Sequence, residues 1–172
     1  MEMNSIKPLA SRWINQNLIL FHGTTLKVAQ AIIGSGVDLA TSRSLLDFGV
    51  GFYTTTSEDQ ARGWARRKTT IPDTPALVRY EVDRNDFAKL EFLAFIRSDH
   101  MAHDFWDFVL HCRRGGLGHS KVSSAGFYDV VAGPLVKQWK SGRAIHPASD
   151  QFSFHTHQGI QLLQNSSPQL IL

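Results

Sequence analysis

The sequence predicts an α+β domain, because short strand-like runs and amphipathic helical segments follow one another along the chain. LILFHG (18–23) is a short apolar run of strand length, and ALVRYEVD (76–83) alternates like a half-buried strand. Helical spacing of apolar residues instead marks SDHMAHDFWDFVLHCRR (98–114). The 172 residues are enough for one domain with a buried core, and they contain no internal repeat or low-complexity linker.

The first elements follow a predicted preamble, residues 1–17. After the first strand, Thr24 or Thr25 is suited to cap the helix LKVAQAII, because a hydroxyl oxygen accepts a hydrogen bond from an unpaired N–H of the first turn. This helix is expected to stop at Gly34-Ser35-Gly36, since glycine readily ends helices.

A second strand and helix are predicted around GFYTTT (51–56), which has strand composition. Ser57 is followed three residues later by Gln60, and this capping-box pattern begins a helix. The apolar residues that come next recur at helical spacing, which supports the same assignment.

The second half of the chain continues the mixture, although FAKLEFLAF is ambiguous between helix and strand. The other predicted elements are the helix at 98–114, a glycine-rich loop at 113–126, strands at 128–136 and 151–156, the short helix HQGIQLL, and a tail at 164–172 that we expect to fray. Gly133-Pro134 is expected to break the strand at 128–136, because proline lacks the N–H that a strand ladder needs.

Composition indicates a globular protein, since 42% of the residues are hydrophobic and 19% are charged. The formal net charge is +3 and the pI is about 9.2, which suits an anionic partner. Cys112 is the sole cysteine, so we expect no disulfide framework and no cysteine-based zinc site, and we interpret it as a core residue. No apolar run approaches the roughly 18 residues of a membrane helix, so a cytoplasmic protein without membrane association is expected.

Three side chains that can contact a ligand stand at predicted strand ends in separate parts of the chain. His22 ends the first strand, and Gly23 leaves the backbone beside it bare. Tyr53 follows the glycine turn DFGVG, and Gln151 begins the strand QFSFHT. An imidazole can bind a sugar hydroxyl, and a bare backbone can bind an amide. The sequence therefore predicts that these residues surround one ligand pocket.

Taken together, the motifs resemble the ADP-ribosyltransferase superfamily, in the histidine–tyrosine–glutamate branch that includes diphtheria-type toxins and the poly(ADP-ribose) polymerases. The resemblance runs from about residue 18 to 163, and DFGVGFYTTTSEDQARGWA (47–65) is its most specific part. It implies a single domain over 1–172, built on two packed, mainly antiparallel sheets with NAD in the cleft between them, and with 164–172 as a tail.

The resemblance also implies that NAD is the co-substrate and gives roles to individual residues. His22 would hold the NAD ribose, and the Gly23 backbone would clamp the nicotinamide carboxamide. Tyr53 would stack on the nicotinamide ring, and Gln151 would take the third catalytic position. The other residues expected to bind NAD are Thr24, Arg43 (at the pyrophosphate), Phe48, Gly49 and Phe52. No metal is expected.

Gln151 departs from the family pattern, because many relatives carry glutamate at this position. Glutamine can orient the ribose but cannot accept a proton as a general base. Deprotonation of an incoming nucleophile would then fall to Asp150, to another carboxylate or to the target itself.

The function implied is mono-ADP-ribosyl transfer by a bacterial toxin, of the toxin–antitoxin or phage-defence type, with a possible antitoxin or immunity protein as partner. The acceptor is a macromolecule, and basic residues favour RNA over protein, since phosphate contacts come mostly from arginine, lysine and backbone donors. Phe48 and Phe52 are further expected to stack an unpaired base. The basic residues are Arg62, Arg66, Arg67 and Lys68 on one helix, for which a solvated helix face is the simpler interpretation, and Arg113-Arg114-Gly115-Gly116.

Two alternatives remain open at this point. Because Gln151 is not a base, the protein can instead be a non-catalytic module that binds NAD or ADP-ribose. A metal-dependent hydrolase is the other alternative, since five potential ligands share one helix face, although they also suit the polar face of an amphipathic helix. These are His100, His103, Asp104, Asp107 and His111.

Overall fold

The computed structural model describes residues 15–42, 45–96, 103–116, 118–119, 126–141 and 143–172. The strands are β1 (Leu18–Thr25), β2 (Phe52–Thr54), β3 (Pro75–Val82), β4 (Phe92–Ala94), β5 (Val130–Gln138), β6 (Ala144–Phe154) and β7 (Gln169–Ile171). The helices are α1 (Leu26–Ser35), α2 (Glu58–Lys68), α3 (Arg84–Phe87), α4 (His103–Arg113) and α5 (His157–Asn165). Within these residues, no helix is long and apolar enough to cross a membrane.

The strands form two sheets, so the predicted α+β class with mainly antiparallel sheets is confirmed. One sheet has the strand order β1-β3-β7, and the other has the order β2-β6-β5-β4. All pairs are antiparallel except β4 with β5, which is parallel. An isolated bridge between Phe21 and Thr55 links β1 to the residue that follows β2.

The main core lies between the two sheets, where side chains such as Leu20 and Val78 of one meet Phe52 and Phe154 of the other. A second cluster packs α4 against the outer face of the four-stranded sheet, around the fully buried Phe48. A third places the small residues of α2 on β1 and β3. Both sheets are therefore covered by helices on part of their surface, which fixes the relative positions of β1, β2 and α2.

Helix starts agree with the sequence signals. Thr25 caps α1, accepting a hydrogen bond from the Val28 N–H at 3.4 Å, and Ser57 caps α2, accepting from the Gln60 N–H at 3.2 Å. The predicted capping box is only half formed, because the Gln60 amide instead donates to the Asp150 carbonyl at 2.7 Å. That bond ties α2 to β6.

Strand boundaries differ more from the predictions. β5 continues through Gly133 and Pro134, which pair with Gln151 and Asp150, and its register shifts only beyond Pro134. Since β6 begins at Ala144, Gln151 lies well inside a strand and not at its start. The predicted break at Gly133-Pro134 and the predicted strand start at 151 were therefore wrong.

The expectation that the tail frays was wrong. α5 extends to Asn165, and Gln169–Ile171 forms β7, which pairs with β3. Pairing satisfies the N–H and C=O groups that β3 would otherwise leave open on this edge. FAKLEFLAF contains the end of α3 and the whole of β4. The predicted preamble up to residue 14, Arg43, and the part of the predicted helix at 98–102 lie outside the described residues.

Candidate functional site

A cavity of about 590 Å³ opens between β1, β2, β6 and the helices α1 and α2. Its volume lies within the range usual for ligand pockets. The predicted site residues among its lining are His22, Gly23, Thr24, Phe52, Tyr53 and Gln151. These side chains come from three strands that are far apart in sequence, and the pairing of β2 with β6 and the Phe21–Thr55 bridge bring them together.

His22 presents a neutral imidazole to the cavity. Burial and the nearby Lys68 ammonium lower the pKa of His22 to about 3. Its Nδ1 lies 2.7 Å from the Tyr53 carbonyl oxygen, which can only accept, so Nδ1 carries the proton. The ring also stacks on Phe52 with 4.3 Å between centroids. The Nε2 lone pair is therefore held in a fixed direction as a hydrogen-bond acceptor, which suits a ligand hydroxyl.

Gly23 is buried, and its peptide groups point to the edge of β1 that does not face β3. Phe21 exchanges both backbone hydrogen bonds with Thr55, at 2.8 and 3.0 Å. Backbone groups alternate in direction along a strand, so those of Gly23, two residues on, point to the same side. The Gly23 carbonyl accepts a hydrogen bond from Lys68 Nζ at 3.0 Å. This backbone edge is suited to bind a polar planar group such as an amide.

Tyr53 is held from its hydroxyl end. The hydroxyl donates to the Gly49 carbonyl at 2.7 Å and accepts from the Phe48 N–H at 3.0 Å. Burial raises the pKa of Tyr53 well above its ordinary value, so the phenol stays protonated. The hydroxyl therefore anchors the glycine turn, and the ring is the part of Tyr53 that remains for a ligand.

The structure corrects the predicted roles of Phe48 and Gly49. Phe48 is fully buried, with Phe95 and Phe108 against its ring, so its side chain cannot stack on NAD or on a base. Gly49 has a φ of 83°, in the region that favours glycine, and is not among the residues that line the cavity. Both residues instead hold the Tyr53 hydroxyl through hydrogen bonds of their backbone groups.

Gln151 is buried beside a charged pair that was not predicted from the sequence. Its Nε2 donates to Asp47 Oδ2 at 2.9 Å and to the Pro134 carbonyl at 3.2 Å. Asp47, only 3% exposed, also forms a salt bridge with Arg113, whose Nε lies 2.8 Å from Oδ1. Asp47, Arg113 and Gln151 all line the cavity. The third predicted position is thus one end of a buried hydrogen-bond network.

Asp150 is not available as the alternative third residue. Its Oδ1 accepts from the Thr55 hydroxyl at 2.6 Å and from the Thr56 N–H at 2.9 Å, and its Oδ2 accepts from the Thr56 hydroxyl. Asp150 is also absent from the cavity lining. Its carboxylate holds the turn after β2, so the hypothesis that it deprotonates a nucleophile is not supported.

The basic residues of α2 have different surroundings. Arg62 pairs with Glu58, and the Arg67 guanidinium lies 4.3 Å from the centre of the Trp64 ring. Lys68 and Trp64 line the cavity, and Trp64 is 40% exposed. Sequence periodicity alone therefore placed Lys68 on a solvated face, whereas the side chain reaches the Gly23 backbone.

The candidate metal ligands on α4 do not form a described metal site. No group of three or more histidine, cysteine or acidic side chains suited to a metal occurs in the part of the chain that the structure describes. His111 Nε2 bonds to the Gly118 carbonyl at 2.8 Å, and Asp104 accepts from the Phe105 N–H. His100 lies outside the described residues. On the other side of α4, Cys112 is buried, as predicted, and burial raises its pKa to about 12.

The site residues that were not predicted differ in how strongly the sequence around them indicates a role in the site. Asp47 is the first residue of DFGVGFYTT, the most specific motif in the chain, so it was a reasonable candidate. Arg113 was considered only as part of a basic loop, and nothing in the sequence connects it to Asp47, 66 positions away. Lys68 likewise gives no local signal of its contact with β1.

A family model described as a protein of unknown function (DUF3990) matches residues 18–141. This match covers more than half of the chain, so the protein belongs to that family. No curated protein and no solved structure matches the chain. Because the family description names no activity, function has to be inferred from the cavity and the residues around it.

Proposed function

We propose that this protein is an NAD-dependent mono-ADP-ribosyltransferase with an ADP-ribosyltransferase-like fold, and that the cavity binds NAD. One observation carries the proposal: His22, the Gly23 backbone, Tyr53 and Gln151 line the same cavity, although they come from three separate strands. Each has the chemistry that its proposed role requires. The resemblance of the motifs, which suggested these residues, supports the same activity.

The nicotinamide ribose would be held by His22 and the carboxamide by Gly23. Neutral His22 has Nε2 as an acceptor for a ribose hydroxyl, and its pKa of about 3 keeps it neutral at physiological pH. The Gly23 N–H and C=O lie on one strand edge, where they match the acceptor and donor of a carboxamide. Lys68 Nζ donates to the Gly23 carbonyl, and the second lone pair of that oxygen remains for the carboxamide N–H.

The reaction would rely on orientation and electrostatics. The bond between ribose C1′ and the nicotinamide nitrogen breaks, and its electron pair goes to nicotinamide, which leaves as a neutral molecule. The ribosyl cation is then attacked at C1′ by a lone pair of the acceptor, whose proton passes to water or to a basic group of the acceptor itself. Tyr53 would support the nicotinamide ring, and Gln151 would hold a ribose hydroxyl. Preorganised contacts of this kind can supply most of a rate enhancement without covalent catalysis.

The proposed acceptor is RNA. Trp64 lines the cavity and is 40% exposed, and the Arg67 guanidinium stacks on its ring. Aromatic and arginine side chains stack unpaired bases, and lysine and arginine contact phosphate. Trp64 thereby takes the stacking role that the buried Phe48 cannot have. As a toxin that modifies RNA, the protein would need an antitoxin or immunity protein in the cell that makes it.

The catalytic assignment is tested by nicotinamide release from NAD, together with transfer of labelled ADP-ribose. We expect His22→Ala and Tyr53→Ala to lower both by roughly a hundredfold or more, because displaced binding groups cost that much in a site that acts by orientation. Tyr53→Phe should lose less than Tyr53→Ala, since the ring remains and only the bonds to the glycine turn are lost.

The matched control is His157→Ala, which removes an exposed histidine at the start of α5. It should behave as the unmodified protein does. Full activity in a folded His22→Ala, Tyr53→Ala double variant would refute the site. NAD binding without nicotinamide release, with or without an added lysate, would favour the non-catalytic binding module.

The acceptor is tested by incubating labelled NAD and the protein with a whole-cell lysate, followed by separate digestion with protease and ribonuclease. Label that resists protease, disappears with ribonuclease and weakens at high salt is the expected result. Trp64→Ala should reduce this label more than it reduces nicotinamide release. Label confined to protein bands would overturn the RNA assignment.

A further inference from the structure

Asp47 occupies an unusual position for a carboxylate, because it is almost completely buried and yet lines the cavity. Arg113 neutralises it through Nε at 2.8 Å and a second, shorter guanidinium contact. The Val136 N–H lies 3.3 Å from Oδ2, and the Gln151 amide lies 2.9 Å from the same oxygen. Burial of a charge is costly unless the charge is paired. Both carboxylate oxygens of Asp47 have hydrogen-bond partners, so the surrounding residues compensate for the burial of this carboxylate.

The chemistry of these partners decides how the Gln151 amide is oriented. A carboxylate and a peptide carbonyl can only accept hydrogen bonds, and the two groups nearest to the Gln151 nitrogen are Asp47 Oδ2 and the Pro134 carbonyl, at 2.9 and 3.2 Å. Both amide protons are therefore used, which excludes the flipped amide. Oε1 remains as the acceptor of the group.

We propose that Asp47 is a positioning residue that acts through Gln151: it holds the amide nitrogen, so that Gln151 Oε1 serves as an uncharged acceptor for a hydroxyl of the ligand. The proposal deepens the proposed function and rests on it, since the hydroxyl would be that of the NAD ribose. It also explains why glutamine can stand at this position. Next to an ionised Asp47, only a neutral side chain with a donor provides both the bond and the acceptor.

A direct consequence concerns glutamate at position 151. Gln151→Glu places a second carboxylate at the distance of the present 2.9 Å hydrogen bond, and Arg113 pairs with Asp47. Two such carboxylates cannot both stay ionised without a large cost. Asp47→Asn with Gln151→Glu moves the charge from one position to the other, and the new asparagine amide then donates where the Asp47 carboxylate accepted. This double variant keeps the net charge and a hydrogen bond between the two positions, although the bond to the Pro134 carbonyl and the bond from the Val136 N–H are lost.

The experiment compares Asp47→Asn, Gln151→Glu and the double variant in the full chain, with Asp86→Asn as control for loss of an exposed carboxylate. The signals of the two Gln151 side-chain amide protons are assigned in ¹⁵N spectra by their loss in Gln151→Glu. We expect slow exchange of this pair, and a shift in Asp47→Asn that Asp86→Asn does not cause. Nicotinamide release should fall roughly tenfold or more in each single variant and recover in part in the double variant, because the hydrogen bond between the two positions is restored while those to Pro134 and Val136 are not.

The outcomes separate the two proposals. Rapid exchange of the two Gln151 side-chain amide protons, with signals that do not shift in Asp47→Asn, would overturn the positioning role. A Gln151→Glu variant that is as active as the double variant would also overturn it. If the unmodified protein releases no nicotinamide, the proposed function fails, and the amide pair alone decides the positioning role. If Gln151→Glu unfolds and the double variant folds, as followed by circular dichroism, the coupling between the two positions is supported.

Discussion

Gly23 is required at its position by packing as well as by the direction of its backbone groups. A Cβ built there would lie 2.0 Å from the Ala61 carbonyl oxygen and 3.0 Å from the Ala65 nitrogen, and both belong to the backbone of α2. Because backbone cannot rotate aside as a side chain can, α2 would have to move away from β1. Gln60, Trp64 and Lys68 reach the cavity from the same helix, so the site would widen.

We therefore predict that Gly23→Ala lowers the free energy of unfolding by about 3 kcal/mol. Gly34→Ala is the matched control, since a Cβ at that position in α1 meets nothing within 4 Å and alanine favours a helix by about 0.5–1 kcal/mol. Urea denaturation followed by circular dichroism gives both values. Equal stabilities of the two variants would show that α2 does not pack closely on β1.

The residues of the candidate site differ in how far they could be predicted. His22, Tyr53 and Gln151 belong to motifs, and the sequence alone predicts each of them as a site residue. Asp47 and Arg113 were missed because a buried ion pair between positions 66 residues apart has no periodicity. Phe48 was misplaced because its ring points into the core behind the turn, and composition cannot distinguish the two sides of a turn.

At the scale of elements, starts of helices were predictable and extents of strands were not. Ser57 and Thr25 are local signals, because a cap bonds to an N–H within its own first turn. The start of β6 at Ala144 depends on pairing with Gln138, and β7 depends on β3, about 90 residues earlier. Such partners satisfy the backbone from a distance, and a single sequence does not reveal them.

β7 leads to a second stability prediction. Ile171 is half-buried and packs against the cluster that joins α2 to β1 and β3, whereas its neighbour Leu170 is 38% exposed. Successive side chains of a strand point to opposite faces, so the two residues form a matched pair. We predict that Ile171→Ala costs about 2 kcal/mol and Leu170→Ala about 0.5 kcal/mol in unfolding experiments. A larger loss for Leu170→Ala would contradict the position of β7 on the sheet.

Across the whole molecule, burial of neutral histidines links stability to pH. Burial lowers the pKa of His22 and His155 to about 3 and that of His119 to about 4. The His119 and His155 rings lie 4.4 Å apart, so a proton on one also opposes a proton on the other. His155 keeps its own proton on Nδ1, which donates to the Val50 carbonyl at 2.7 Å, directly in the glycine turn before Tyr53.

The sign of the pH dependence follows from these directions. In the unfolded chain the histidines have the ordinary pKa of 6.5. Below pH 6.5 the unfolded chain therefore binds more protons than the folded protein does. Stability is therefore fully present above about pH 6.5 and is lost as the pH falls toward the folded values of about 3 to 4. The buried His155 contributes a slope of up to about 1.4 kcal/mol per pH unit, and the partly buried His22 and His119 contribute less.

We predict that the free energy of unfolding decreases between pH 7 and pH 5, and that His155→Asn makes this decrease shallower. Asparagine keeps an N–H donor for the Val50 carbonyl but cannot be protonated in this range, so it removes the titration and retains the hydrogen bond. Urea midpoints measured at several pH values provide the test, with His157→Asn, an exposed histidine two positions further on, as control. Only a histidine that is buried in its neutral form resists protonation when the chain is folded. If the pH slope changes in the control and not in His155→Asn, the acid-sensitive group lies elsewhere in the fold.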